Sequence, residues 1–194
     1  MRKILLPPMI VELITSGIAG MDNMVFFRTG ICPSCGSKIK GHDTKKKKFA
    51  TIIDGERTKQ IHVFVKRYHC TGCGKLLYAD SPFYPGTRLG APIVDFCIAN
   101  NNRHPYNHIS KILRAMNIVV DRGTVKNYAD KSFGPVPCME LYEIKIPVSL
   151  ISLSEVSVRN ESAPITGAES FTAGSFPSAE RAPLQMVGAF QKRD

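Results

Sequence analysis

The spacing of apolar residues changes period twice along the chain. Met9 to Ile18 sets Ile10, Leu13, Ile14 and Gly17 at helical intervals, so a short amphipathic helix is expected to pack on the β region downstream. Gly20 to Asn23 breaks that pattern, and Met24 to Phe27 reads as a strand. Further on the period becomes two. Phe49 to Ile53 reads as a strand, Asp54-Gly55-Glu56 as a turn, and Gln60 to Tyr68 as a second strand. In that second strand Ile61, Val63 and Val65 share one side, and His62, Phe64 and Lys66 the other. Just upstream, Lys45 to Lys48 taken alone has the composition of a solvated loop.

Ser81-Pro82 and Pro85-Gly86 mark a linker, after which the helical period returns. Ala91 to Asn100 carries Ile93, Val94, Cys97 and Ile98 on one face, and three asparagines end it. Pro105 suits the first turn of a second helix. Tyr106 to Met116 then places Ile109, Ile112, Leu113 and Met116 on a buried stripe. Asn117 can take the left-handed conformation that ends it. Asp121 is a good N-cap for a third helix, Arg122 to Phe133, with Val125, Tyr128 and Ala129 inward. Beyond Met139 the signal weakens. Tyr142 to Val158 has β character, and Glu161 to Asp194 is rich in Ser, Ala, Gly and Pro without a period, which predicts weak order.

Two Cys-x-x-Cys-Gly sequences flank the β region: Cys32-Pro33-Ser34-Cys35-Gly36 and Cys70-Thr71-Gly72-Cys73-Gly74. A two-residue gap lets one tight turn offer two thiolates, and four thiolates satisfy one tetrahedral Zn²⁺. Cys32, Cys35, Cys70 and Cys73 are therefore the candidate ligands of one structural zinc, with Gly36 and Gly74 relieving the backbone after each pair. The intervening 34 residues form the predicted hairpin, which would bring the pairs together in the plan of a zinc ribbon. His69 could substitute as a ligand, but on a strand its side chain is expected to point away. Cys97 fits a helical core, a Cys97, His104 and His108 site has poor geometry, and Cys138 has no visible partner. A redox dithiol would want a βαβ context, which is absent. A four-sulfur site leaves no open coordination position, so no catalysis is assigned to the metal.

Charge adds a partner. The 194-residue chain carries a formal net charge of +10, with a pI near 9.4, which favours a polyanion. Between Arg28 and Lys75 lie 12 Lys and Arg against three acidic side chains, whereas residues 151–194 are close to neutral. Six cysteines in a chain of this length do not resemble a secreted disulfide scaffold. Pro7, Pro8 and Glu12 interrupt any leader, and Ile4 to Phe27 is too polar to span a bilayer. A cytoplasmic, nucleoid-associated protein without a membrane role is expected.

The second helix, a four-residue turn and the third helix have helix-turn-helix proportions. In that arrangement Arg122, Thr124, Lys126 and Asn127 would approach base edges, while His108, Lys111 and Arg114 lie nearer phosphates. Lys45, Lys46, Lys47, Lys48, Lys66 and Arg67 on the hairpin would track phosphates. The plain alternative is a three-helix bundle with a solvated basic face.

The run Val65-Lys66-Arg67-Tyr68-His69-Cys70-Thr71-Gly72-Cys73-Gly74-Lys75 resembles the ribbon knuckle at the N-terminus of prokaryotic, in particular archaeal, insertion-sequence transposases. Ile109 to Leu113 and Gly123 to Tyr128 resemble that family's second and third helices, so the likeness covers Ile31 to Lys131. The resemblance implies recognition of element-end DNA, often ahead of an RNase H-like domain with three metal-binding carboxylates. About 60 residues follow Phe133, too few for that domain, and Asp130, Glu140, Glu143 and Glu155 show no supporting order.

These readings combine into an α+β protein: an N-terminal extension (1–27), a zinc ribbon (28–80), a three-helix helix-turn-helix domain (88–134) and a weakly ordered tail (139–194). The expected function is sequence-specific binding of double-stranded DNA by a chain whose folding depends on zinc, without enzyme activity, as a truncated or stand-alone transposase module. A transcription regulator with the same parts, a protein–protein adaptor and a transposase with residual catalysis are the alternatives. A second copy of the chain is a further candidate partner.

Overall fold

The computed structural model describes residues 6–27 and 30–155. Among them are five helices and two sheets, an α+β arrangement. The first helix, α1 (Pro8–Ala19), is followed by the short strand β1 (Val25–Phe26). Two long strands come next, β2 (Ile39–Asp54) and β3 (Arg57–Cys70), then β4 (Leu76–Tyr78). Helices α2 (Ala91–Asn100), α3 (Tyr106–Ala115) and α4 (Arg122–Ala129) follow in succession. A hairpin of β5 (Cys138–Leu141) and β6 (Ile144–Pro147) leads into α5 (Val148–Ile151).

β2 and β3 pair antiparallel from Asp54 opposite Arg57 at the turn to Ile39 opposite Cys70 at the far end. Gly55, at φ 60°, takes the first position of the two-residue turn, where other residues would be strained. On its other edge β3 accepts β1 in parallel at Phe64 and Val65, and β4 in antiparallel at Arg67 to His69. β2 is therefore an edge strand. The C-terminal half of its edge is covered: Gly90 N–H donates to the Phe49 carbonyl, Val119 N–H to that of Thr51, and Ile53 N–H to that of Asn117.

Both long strands exceed their sequence-based limits. The lysine run expected to be a loop is instead the middle of β2, each lysine opposite a β3 residue. Lysine is a poor strand former, but pairing against Val63, Phe64 and Val65 overrides propensity. Bulges interrupt the register between Gly41 and Thr44 and between Lys48 and Ala50. The second adds Phe49 to β2 without a partner, so inward residues switch from odd to even numbers, and Phe49, Ala50 and Ile52 are all buried.

One hydrophobic cluster joins this sheet to the helices. It includes Ile14 and Ile18 of α1, Val63 and Val65 of β3, Ile112 and Leu113 of α3, and Leu150 of α5. Burying each such side chain contributes about 1.5–3 kcal/mol. α2 is central and buried almost all round. Its two buried polar side chains are both satisfied. Asp95 accepts from Tyr84 Oη and Ser149 Oγ, each at 2.6 Å. Asn100 exchanges bonds with the Lys145 backbone at 2.7 and 3.0 Å.

The ends of α3 and α4 follow their local chemistry. Asn117 sits at φ 60°, and Ile118 N–H reaches back to the Leu113 carbonyl at 2.9 Å, a left-handed helix stop. Asp121 caps α4 by accepting from Thr124 N–H at 2.9 Å. α4 ends at Ala129, four residues before the expected Phe133. The Asp130 carboxylate is held by Tyr106 Oη and Asn101, and Phe133 turns away to stack on Tyr84 with ring centroids 4.1 Å apart.

The segment from residue 139, expected to be β-like and then weakly ordered, is built into the core as far as residue 155. Ile144, Ile146, Leu150 and Leu153 are buried, and residues 148–151 are helical where β character was expected. The hairpin turns at Tyr142 and Glu143, both at positive φ, which costs on the order of 1 kcal/mol at each. The weak order expected from Glu161 to Asp194 lies outside the described residues. α1 runs one residue beyond its expected limits at each end and packs against α5 and β2.

Gly90 lies so close to Phe49 that an added Cβ would sit 2.2 Å from the ring. Gly90→Ala should destabilise the protein by about 1–3 kcal/mol, read from its urea unfolding midpoint, and Phe49→Leu should partly restore it.

Candidate functional site

The β2–β3 register brings the two cysteine turns face to face. Thr71 N–H donates to the Lys38 carbonyl at 3.1 Å, directly continuing the ladder beyond Ile39 and Cys70. Each turn is closed the same way. Gly36 N–H donates to the Cys32 carbonyl at 2.9 Å, and Gly74 N–H to the Cys70 carbonyl at 3.2 Å. Both glycines adopt φ near +70°, at 71° and 70°. Lys75 Nζ donates to Ser34 Oγ at 3.3 Å, a second link between the turns.

The four sulfurs lie within 4.8 Å of one another. Cys32 and Cys73 are 3.8 Å apart at sulfur, and Cys35 and Cys70 3.4 Å. A tetrahedron with metal–sulfur bonds of about 2.3 Å has edges of about 3.8 Å, so the spacing fits one ion. Cys32 and Cys70 are buried, while Cys35 and Cys73 are exposed. Among the described residues these four are the one group of three or more His, Cys, Asp or Glu side chains that converge in this way.

Two residues that sequence reasoning passed over shape the centre. The Ser37 hydroxyl and amide hold the Cys35 thiol down at about 6. Gly72 admits the opposing turn: a Cβ there would meet Ser37 Oγ at 2.2 Å and Cys35 Sγ at 3.4 Å. Their signals were available, a serine just after the first knuckle and a glycine inside the second. Cys32 is also lowered, first by the Ser34 amide. For Cys73 the Lys75 amide pulls downward, but desolvation and the neighbouring sulfurs outweigh it and push the thiol up to about 11.

The other candidates for metal do not join. His69 is exposed and outside the cluster. Cys97 is fully buried in the core, and burial pushes its thiol up to about 12. His104 and His108 have ring centroids 5.0 Å apart, and the His104 ring contacts the Glu143 carbonyl at 3.3 Å. Cys138 donates to the Val136 carbonyl at 3.3 Å.

The basic candidates separate by environment. On α4, Arg122, Lys126 and Asn127 are exposed on one face, beside Gly123. Thr124 is half-buried, and both its hydroxyl and amide are spent on Asp121. Lys111 and Arg114 are exposed on α3. Arg122 also lines a polar cleft of about 650 Å³ with Arg103, Asn107 and the start of α3. On the hairpin, Lys45, Lys46, Lys48 and Lys66 are exposed. Lys47 is half-buried with Nζ 3.6 Å above the Phe83 ring. Arg67 forms a two-pronged pair with Asp43 and lies over Tyr78. No helix among the described residues is long and apolar enough to cross a membrane.

Two paired turns carrying four converging thiols define a tetrathiolate centre able to hold one metal ion. No protein-family model matches the chain, and no curated protein or solved structure matches it.

Metal uptake must displace protons, above all from Cys73. Protonation competes with metal, so apparent affinity should fall as pH is lowered from 9 to 6.5, by roughly tenfold per unit for each proton displaced. Competition against a chromophoric chelator across that range measures this, and Cys70→Ser should abolish tight binding at every pH.

Proposed function

We propose that this protein binds double-stranded DNA, with Zn²⁺ in the four-cysteine centre as a structural ion. In this reading the metal ties off a zinc ribbon whose hairpin is basic, and α2 to α4 act as a helix-turn-helix with α4 as the recognition helix. The supporting observation is the set of exposed polar and basic residues on the two adjoining helices α3 and α4. It comprises Lys111, Arg114, Arg122, Lys126 and Asn127, and none of these five has an ion pair among the described residues.

The chemistry suits a duplex. The Schellman-ended α3 and the Asp-capped α4 leave a short connection, and the exposed residues at the start of α4 include an arginine and an asparagine. Those side chains pair with guanine and adenine edges respectively. Thr124 is not among the base readers, because Asp121 holds it. Four thiolates satisfy Zn²⁺ completely, so the ion supplies folding energy and positions the turns. The transposase resemblance of residues 31–131 suggests the ends of a mobile element as the natural target.

A carboxylate-based nuclease reading has less support. Asp130 is committed to Tyr106 and Asn101, and Glu140 to Arg103.

Elemental analysis of protein purified without added metal should find one zinc per chain. Anisotropy titrations should show binding to a random 30-base-pair duplex at low salt, weakening steeply as salt rises. Selection from a randomised duplex pool should yield a motif that Arg122→Ala and Asn127→Ala each relax, at about 1–3 kcal/mol for each base pairing removed. Absence of duplex binding at low salt would sink the proposal.

A further inference from the structure

We infer that one face of the β2–β3 hairpin, bearing Lys46, Lys48 and Lys66, lies along a sugar–phosphate backbone of duplex DNA, whereas Lys47 and Arg67 hold the hairpin's own structure. This rests on the DNA-binding reading and divides a basic segment that composition treats as uniform.

The division comes from the register. Residues opposite one another in an antiparallel pair project to the same side. Lys46 lies opposite Phe64, Lys48 opposite His62, and Thr44 opposite Lys66. Lys45 and Lys47 lie opposite Val65 and Val63, both buried in the core. The four consecutive lysines are thus split two and two, and Lys66 joins the outward pair. All three outward lysines are exposed and have no ion pair among the described residues.

Lys45 is exposed as well, but its place opposite Val65 puts it on the other side of the hairpin. Three further cations have internal partners. Lys47 covers Phe83, with its stem half-buried. Arg67 is clasped by Asp43 and lies over Tyr78. Asp22 accepts from the His62 amide on the neighbouring strand, and Lys59 neutralises it at 3.1 Å.

Period and charge together select the partner. Strand backbone fixes Lys46 and Lys48 at about 6.7 Å, two residues of rise, a step comparable with that between successive phosphates on one strand. A loop would not hold them at that interval.

The test uses the zinc-loaded full chain and a random-sequence 30-base-pair DNA duplex across a potassium chloride series. Lys46→Ala/Lys48→Ala should make the slope of log affinity against log salt shallower by about 1.8, and adding Lys66→Ala by about 2.7. Lys45→Ala and Lys47→Met should leave the slope unchanged, the latter keeping an apolar stem over Phe83. Circular dichroism and zinc content confirm that each variant is folded. Wild-type binding with an unaltered slope in the double variant would overturn the assignment while leaving the DNA reading intact. Equal slope losses for Lys45→Ala and the outward lysines would also overturn it. No duplex binding by wild type, or tighter binding to an RNA duplex or to phosphatidylserine vesicles, would overturn both.

Discussion

Ile39 sits opposite Cys70, and the positions of both ends of the hairpin depend on that pairing. At one end it carries Cys32 and Cys35 to Cys70 and Cys73. At the other it delivers Phe49, Ala50 and Ile52 to the helices. A slip of one residue would turn every side chain of β2 to the opposite face and separate the sulfurs. The register is pinned by the tight turn at Gly55, by the Thr71 to Lys38 bond beside the cysteines, and by buried valines between them. Metal binding and core packing therefore favour the same alignment from opposite ends of a long ribbon.

Features with a local chemical cause could be read from the sequence. The cysteine turns announce themselves because two thiols and a glycine at fixed spacing have few other uses. The stripe of α3, its stop at Asn117 and the cap at Asp121 are each specified within a few residues. Features that depend on distant partners could not be read. The lysines become a strand because β3 lies beside them, and the Phe49 bulge lies where that ring packs against Gly90, the residue before α2. The turn at Tyr142-Glu143 lacks the Gly or Asn that usually marks positive φ. α4 stops early because Asp130 is captured by side chains from two other helices' ends. Among candidate site residues, all four cysteines converge, whereas Thr124, Lys47 and Arg67 prove to have internal partners that composition does not reveal.

The connection between α3 and α4 is also a rung on the sheet. Ile118 bridges Ile52, flanked by the bonds from Val119 to Thr51 and from Ile53 to Asn117. The start of α4 is thus three residues from backbone that is hydrogen-bonded to the hairpin. Helix and ribbon share one hydrophobic cluster as well. Their exposed faces are held at a set separation by backbone bonds and by the core, so neither can reorient without breaking both.

β2 has one more property that its lysines control. Beyond Phe49 its outer edge is covered, but from Gly41 to Lys48 it borders no other strand among the described residues. A bare strand edge is a template for pairing with a second molecule, the first step of edge-to-edge aggregation. Four consecutive positive charges and a bulge make this edge a poor template, because an approaching copy would bring the same charges against it. The lysine run thereby disfavours edge-to-edge pairing between copies of the chain.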